Sequence, residues 1–225
     1  MAAVETVRGK PPAKAEELAP KRIRFSGYEW EIRQVPSDSG GVMHANSAAN
    51  IRIDAAGALH LRITQESGAW VCAELYMLRS LGYGTYSFKV KPTPRFDPAT
   101  VFGMFLWDDL EGGQNHREID IELSQWGDPA VKNAQFVVQP NYIPANSFRF
   151  KAPASALTHS FRWEPGIVMF RTAEGSRTVA EHAFTSGIPT PGGEAVHINL
   201  YVYGKARTPQ QHGAEVVIEK FEYLP

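Results

Sequence analysis

The chain has 225 residues, long enough for one large all-β domain with a substantial core. Its 23 basic and 24 acidic residues nearly cancel and are spread along the chain, without a long single-sign block. That excludes nucleic acid and anionic membrane surfaces as main partners, since both need a concentrated basic face. The single cysteine, Cys72, rules out an intramolecular disulfide and a cysteine metal cluster; between Val71 and Ala73 it reads as a small buried hydrophobe.

Residues 1 to about 20 are rich in Ala, Pro, Lys and Glu and hold no aromatic residue. They read as a flexible leader with one turn of helix at Glu16-Glu17-Leu18. The first ten residues lack the apolar core of a signal peptide. Two compartments stay open: the cytoplasm, or a secreted or periplasmic space with the signal outside this sequence. From Ile23 onward short β-prone runs recur, punctuated by Gly, Pro, Asn and Asp. Ile51 to Ile53 and Leu59 to Thr64 flank Asp54-Ala55-Ala56-Gly57, a hairpin turn. Trp70 to Leu78 and Tyr86 to Lys91 follow as strands, and the proline-rich stretch from Pro92 to Thr100 is a loop. Val101 to Trp107 is continuously apolar, as expected of a strand buried on both faces. Asp108 to Asn115 is a polar, Gly-containing loop. Later strands fall at Ala134 to Gln139, Thr158 to Trp163, Ile167 to Thr172, Val196 to Tyr203 and Ala214 to Tyr223. There is no amphipathic segment of three helical turns, no internal repeat, and no apolar run long enough for a membrane span. About a dozen strands in one domain over residues 21–225 predict an all-β sandwich or barrel.

The chemistry concentrates in His116-Arg117-Glu118-Ile119-Asp120-Ile121-Glu122-Leu123. Period two puts Glu118, Asp120 and Glu122 on one face of a strand and the aliphatics on the other. A helix would scatter the acids and leave no apolar stripe. Three like charges on one face repel one another, and no Lys or Arg shares their parity within the run, so stability does not explain the pattern. Crowded carboxyls suit glycoside hydrolysis, in which one carboxyl stays protonated and gives its proton to the leaving oxygen. The other is ionised, and either attacks the sugar carbon or activates water. Mutual repulsion raises the proton affinity of at least one of them. Positions i and i+4 of a strand lie roughly 13 Å apart, whereas retaining hydrolysis wants carboxyls roughly 5 to 5.5 Å apart. Glu118 and Glu122 therefore meet only if the strand bends concave and both side chains lean inward over the shorter Asp120.

Glu118-Ile119-Asp120-Ile121-Glu122 resembles the Glu-x-Asp-x-Glu signature of glycoside hydrolase family 16, which includes bacterial lichenases, laminarinases, agarases and carrageenases. The resemblance continues in order from about residue 40. Gly40-Gly41-Val42, Asn50-Ile51, Gly57-Ala58-Leu59-His60-Leu61, Cys72-Ala73-Glu74 and Gly82-Tyr83-Gly84-Thr85-Tyr86 precede the acids. Ala134-Gln135-Phe136, Trp163-Glu164-Pro165-Gly166 and Ile198-Asn199-Leu200-Tyr201 follow them. It implies a jelly-roll β-sandwich of two antiparallel sheets with a concave glycan-binding cleft. It also implies an endo-acting, retaining β-glycanase with Glu118 as nucleophile, Glu122 as general acid/base and Asp120 tuning both. Glu74, Gln135, Asn199 and Tyr201 become substrate contacts by the same resemblance. Departures cluster where sugar recognition is expected. Tyr201 stands for a Trp, Leu75-Tyr76-Met77-Leu78 lacks the Arg found after the matching Glu, Leu157-x-His159 replaces His-x-Tyr, and Ser124-Gln125-Trp126-Gly127 prolongs the acidic strand.

Aromatic rings cover the flat CH faces of sugars. Trp107, at the end of the strand feeding the loop, is the best stacking candidate, and Trp126 shares the acids' parity if the strand runs that far. His116 precedes the strand at the same parity, where an imidazolium favours an ionised neighbour; the alternative is a surface loop residue. Glu74 in an apolar strand is either paired or in contact with substrate. Trp163 is read as core or cleft wall, and Trp30 and Trp70 as packing. No histidine pair has zinc-ligand spacing, and carboxylates on one strand face supply too few converging ligands for calcium. The chain is thus expected to act on a polysaccharide as a monomer without a required cofactor, a structural calcium on the convex side staying open. The other reading carried forward is a non-catalytic glycan-binding module on the same sandwich.

Overall fold

A computed structural model describes residues 19–93, 96–110 and 114–225. Alternating apolar and polar residues resolve into strands throughout. The first half forms β1 (Lys21–Phe25), β2 (Tyr28–Ile32), β3 (Ser37–Ser39), β4 (Val42–Asn46), β5 (Ile51–Ile53), β6 (Leu59–Glu66), β7 (Ala69–Met77), β8 (Gly84–Val90) and β9 (Thr100–Trp107). The second half forms β10 (Ile119–Leu123), β11 (Ala134–Val138), β12 (Ser147–Phe150), β13 (Leu157–Glu164), β14 (Ile167–Glu174), β15 (Arg177–Phe184), β16 (Ala195–Val202) and β17 (Ala214–Leu224). Helical structure among the described residues is limited to three short 3-10 turns. The expected leader lies almost wholly outside the described residues.

Pairing sorts fifteen of the seventeen described strands into two antiparallel sheets, and β4 of the β3–β4 hairpin pairs with β7 in parallel. One sheet runs β1-β2-β7-β16-β9-β10-β11-β12 and carries the acids. The other runs β5-β6-β17-β8-β13-β14-β15. The β6–β7 hairpin passes the chain from the back sheet to the acid-bearing one. This is the jelly-roll β-sandwich. The turn at Asp54 forms where expected: its Oδ1 accepts from the Ala56 and Ala58 N–H groups, closing the hairpin between β5 and β6.

The core lies between the sheets. Ile119, Ile121 and Leu123 of β10 join Phe102, Met104 and Leu106 of β9 and Phe136 of β11, all essentially inaccessible to solvent. Phe136 stacks on Phe170 of the back sheet with ring centroids 4.9 Å apart, and Trp30 meets Phe221 edge-on at 5.5 Å. Each such side chain stabilises the fold by about 1.5–3 kcal/mol through burial. Trp163 is fully buried and donates its indole N–H to the Pro189 carbonyl at 3.1 Å, so of the two expected placements it takes the core. His159 is buried too, with Nδ1 2.9 Å from the Thr172 hydroxyl; burial pushes its pKa down to about 3 and keeps the ring neutral.

Two expectations need correction. β9 is buried on both faces only over its first half: Val101 and Gly103 are buried on the face opposite Phe102 and Met104, whereas Phe105 and Trp107 further along are partly open to solvent. Phe105 and Trp107 line a cleft, which burial alone does not explain. Residues 177–184 were not read as a strand, yet they form β15 on the outer edge of the back sheet. Glu181, His182 and exposed Ala183 dilute its alternation, and pairing with β14 decides its conformation.

Candidate active site

Sheet register assembles the site from distant parts of the chain. In β10, Glu122 lies opposite Gly103 of β9 and Gln135 of β11, and Asp120 lies opposite Phe105 and Val137. Beyond β9, Gly103 faces Asn199 and Phe105 faces His197 on β16. These in turn face Glu74 and Tyr76 on β7. On the other flank Gln135 faces Arg149 of β12. A single row therefore runs Arg149, Gln135, Glu122, Gly103, Asn199, Glu74 across the sheet. Strand parity puts all of them on the face away from the core.

This face floors a cleft of about 1140 Å³. Glu118, Asp120, Glu122, Glu74, Trp107, Trp126, Gln135, Asn199 and Tyr201 all line it. Gly103 keeps its middle open: a Cβ there would lie 2.5 Å from Asn199 Oδ1. That Asn199 oxygen is buried and accepts no hydrogen bond.

The acids form one electrostatic unit. Burial, then the neighbouring charge of Glu122, pushes the Glu118 pKa up to about 8, although hydrogen bonds from Asp120 and Gln139 oppose the shift. Asp120 is raised well above its ordinary value by burial and by repulsion from Glu118 and Glu122. Its carboxyl therefore keeps its proton and donates it to Glu118, while Gln139 Nε2 donates to Asp120 Oδ2 at 3.1 Å. Glu122 is raised by burial, tempered by Gln135, whose Nε2 donates to Oε2 at 2.5 Å, and by the charge of Arg149. All three carboxyls thus hold their protons more tightly than free ones, so the triad can carry protons near neutral pH, as acid–base work at a glycosidic bond needs.

Glu74 is 4 % exposed and fully engaged. Its Oε1 meets His197 Nδ1 at 3.0 Å, and its Oε2 accepts from the Ser37 hydroxyl at 2.8 Å. Arg33 Nε also lies 3.0 Å from Oε1, an ion pair by distance whose N–H is not aimed at the oxygen. Burial works against this carboxylate, but His197, Arg33 and Ser37 outweigh it and hold its pKa below the ordinary range. Of the two sequence readings for Glu74, pairing is met. Arg33 arrives from the loop beyond β2.

The two residues placed by parity beyond the strand arrive differently. β10 ends at Leu123, and Trp126 reaches the cleft through a left-handed turn at φ 45°. The Arg149 guanidinium sits 4.3 Å from its ring centre. His116 is not on the cleft wall: it stacks on Trp107, centroids 4.0 Å apart and planes 9° from parallel, with Nδ1 2.9 Å from the Asp108 carbonyl. It braces the Trp107 ring instead of touching the acids. The cause is a run of left-handed residues from Gln114 to Arg117, with φ from 50° to 57°, which ends strand parity before His116. Sequence reasoning missed Phe105, Gln139, His197, Arg33 and Arg149. Parity alone finds the first three, since they share faces with Trp107, Gln135 and Asn199. Arg33 and Arg149 carry no local signal. Among the described residues no cluster of three His, Cys, Asp or Glu is arranged to hold a metal ion.

No protein-family model matches the chain, and no curated protein matches it either. Solved structures do. The beta-glucanase of Bacillus licheniformis superposes with a TM-score of 0.69 at 19% identity, over 93% of this chain and 100% of that one. A prokaryotic beta-1,3-1,4-glucanase (lichenase) derived from a mouse hindgut metagenome gives 0.66 at 20% identity, over 92% and 100%. A Mycobacterium tuberculosis protein described as an immunostimulatory antigen and pseudo beta-1,3-glucanase gives 0.61 at 18% identity, over 84% and 88%. On this likeness and its sheet order, the chain has the jelly-roll β-sandwich fold of the beta-glucanases.

Proposed function

We propose that this chain is a retaining, endo-acting glycoside hydrolase that cleaves a β-linked polysaccharide, a β-glucan or a galactan, by double displacement. One observation carries the reading: three carboxyls, Asp120 buried and Glu118 and Glu122 half-buried, stand on one face of a single strand, beside the glycine floor of a cleft of about 1140 Å³. The names of the structural neighbours support a glucan. Glu118 attacks the anomeric carbon while Glu122 protonates the departing oxygen, leaving a glycosyl ester on Glu118. Glu122, now ionised, takes a proton from water, which displaces Glu118 and restores the starting configuration. The Asp120 proton, hydrogen-bonded to Glu118, favours the ionised nucleophile at the moment it attacks. The free Asn199 oxygen accepts a sugar hydroxyl, and Trp107 and Trp126 offer ring faces to sugar CH groups.

A panel of β-1,3- and mixed-linkage glucans and of galactans, assayed beside Glu118→Gln and Glu122→Gln, tests this. The native protein should release reducing ends from at least one polymer. Glu122→Gln should be slower by roughly 10²–10⁴-fold, and Glu118→Gln should fall to background. Equal rates for native and Glu118→Gln on every polymer reject the hydrolase. The description of one neighbour as a pseudo-glucanase keeps a second reading in view, a glycan-binding module. It is recognised by binding without turnover, unchanged in Glu118→Gln.

A further inference from the structure

The general acid of the proposed reaction is contacted by an amide whose orientation is set from the opposite side. Gln135 donates through Nε2 to Glu122 Oε2 at 2.5 Å and accepts through Oε1 from Arg149 Nε at 3.1 Å. A glutamine amide has one donor end and one acceptor end, and these partners fix which is which. A carboxylate tolerates only a donor, and a guanidinium only an acceptor. Flipping the amide would set oxygen against carboxylate and N–H against guanidinium at once. Arg149 is itself held over Trp126, its guanidinium carbon 4.3 Å from the ring centre. It belongs to β12, the outermost strand of the sheet, and nothing in the local sequence marks it.

We infer that Arg149 is a positioning residue for Glu122: it locks the Gln135 amide with its donor toward the carboxyl, so that Glu122 can give up its proton in the first step and take one in the second. The inference rests on the hydrolase reading for its catalytic meaning, while the coupling itself is a property of the folded chain. The other groups facing Glu122 push the opposite way or are neutral. Asp120 and Glu118 on its own strand are acidic, Gly103 on β9 is uncharged, and Tyr201 on β16 keeps its phenol proton because burial and the three acids raise its pKa. Arg149 is therefore the cation that offsets the acids at Glu122, and its charge does lower the proton affinity of that carboxyl.

The test is Arg149→Met, which keeps the length of the stem and removes both charge and donor, with Arg149→Lys as the charge-retaining partner. Without Arg149 the Glu122 carboxyl should hold its proton to higher pH. The basic limb of kcat/KM, where a general acid deprotonates, should move up by roughly half a unit or more, with Arg149→Lys between native and Met. The same carboxyl can be followed by NMR titration of ¹³C-glutamate-labelled protein, assigned with Glu122→Gln, whether or not any polymer is cut. If the Glu122 midpoint is the same in native and Arg149→Met protein, the inference is overturned. If the midpoint moves but no glycan is hydrolysed by the native chain, Arg149 still governs Glu122 and only the hydrolase reading falls.

Discussion

At the scale of single residues, the most exacting position is Gly103. Its neighbours across the sheet are Glu122 and Asn199, and the Asn199 amide oxygen occupies the space a side chain would need. Gly103→Ala should displace Asn199 and narrow the cleft floor between the acids and β16. We expect a stability loss of about 1–3 kcal/mol from the overpacking, measured by urea unfolding, and a fall in kcat/KM larger than that loss accounts for. Unchanged kinetics would mean that Asn199 makes no contact with substrate. At this scale much of the site was legible. Three acids in alternation with Ile119, Ile121 and Leu123 define a strand face without any help from tertiary structure, and Gln135 and Asn199 lie in register with that face. Arg33 and Arg149 were not legible, because what makes each matter is the neighbouring strand, and sheet order is not written into local sequence.

At the scale of elements, the turn before β10 is the costly piece. Gln114, Asn115, His116 and Arg117 are four successive non-glycine residues in the left-handed region. Each carries a penalty of roughly 1–2 kcal/mol. External ties hold the turn. Gln114 bonds Thr190 through both ends of its amide, and Arg117 reaches the Thr190 carbonyl at 3.0 Å and the Asp108 carboxylate at 2.6 Å. Asp108, almost completely buried, also accepts from the N–H groups of Leu110 and Gly193. Burial opposes its charge, but these partners outweigh burial and keep its pKa below the ordinary range. Asp108→Ala severs all three contacts and should let the turn relax. Glu118, at its exit, then shifts, and turnover should fall roughly tenfold or more while the far-ultraviolet circular dichroism of the sandwich stays native. Native turnover in this variant would show that the turn does not position Glu118. The same turn explains why parity failed for His116: an alternation argument holds only while the backbone stays extended, and four left-handed residues end it.

At the scale of the whole molecule, two buried groups bend stability with pH in opposite directions. Glu118 binds its proton more tightly folded than unfolded, so its contribution is complete below about pH 4.5 and is lost as pH rises through about 8. His159 binds its proton less tightly folded, so its contribution is complete above pH 6.5 and is lost as pH falls toward about 3. Between pH 6.5 and 8 the Glu118 contribution declines while that of His159 is complete. Glu118→Gln should therefore gain on the native protein across that interval, by on the order of 1 kcal/mol, in paired denaturant titrations. A constant difference across the interval would mean that Glu118 titrates normally. The architecture was legible as all-β from strand density and hairpin turns, and the jelly roll from its resemblance. The outer edge strand β15 was not, since its pairing with β14 supplies what its own sequence lacks.

The order of strands in space has a consequence for the history of each molecule. β16 lies in the middle of the acid-bearing sheet, between β7 and β9, and β17 lies in the middle of the back sheet, between β6 and β8. Both follow every other strand of their sheets in the chain. Until they emerge, each half-built sheet has a gap at its centre, with unpaired backbone on both sides. Neither sheet is complete until its central strand has joined it. The cleft is then completed only by β16: Asn199 and Tyr201 arrive on it, and a nascent chain without it holds the acids but not the floor beyond Gly103.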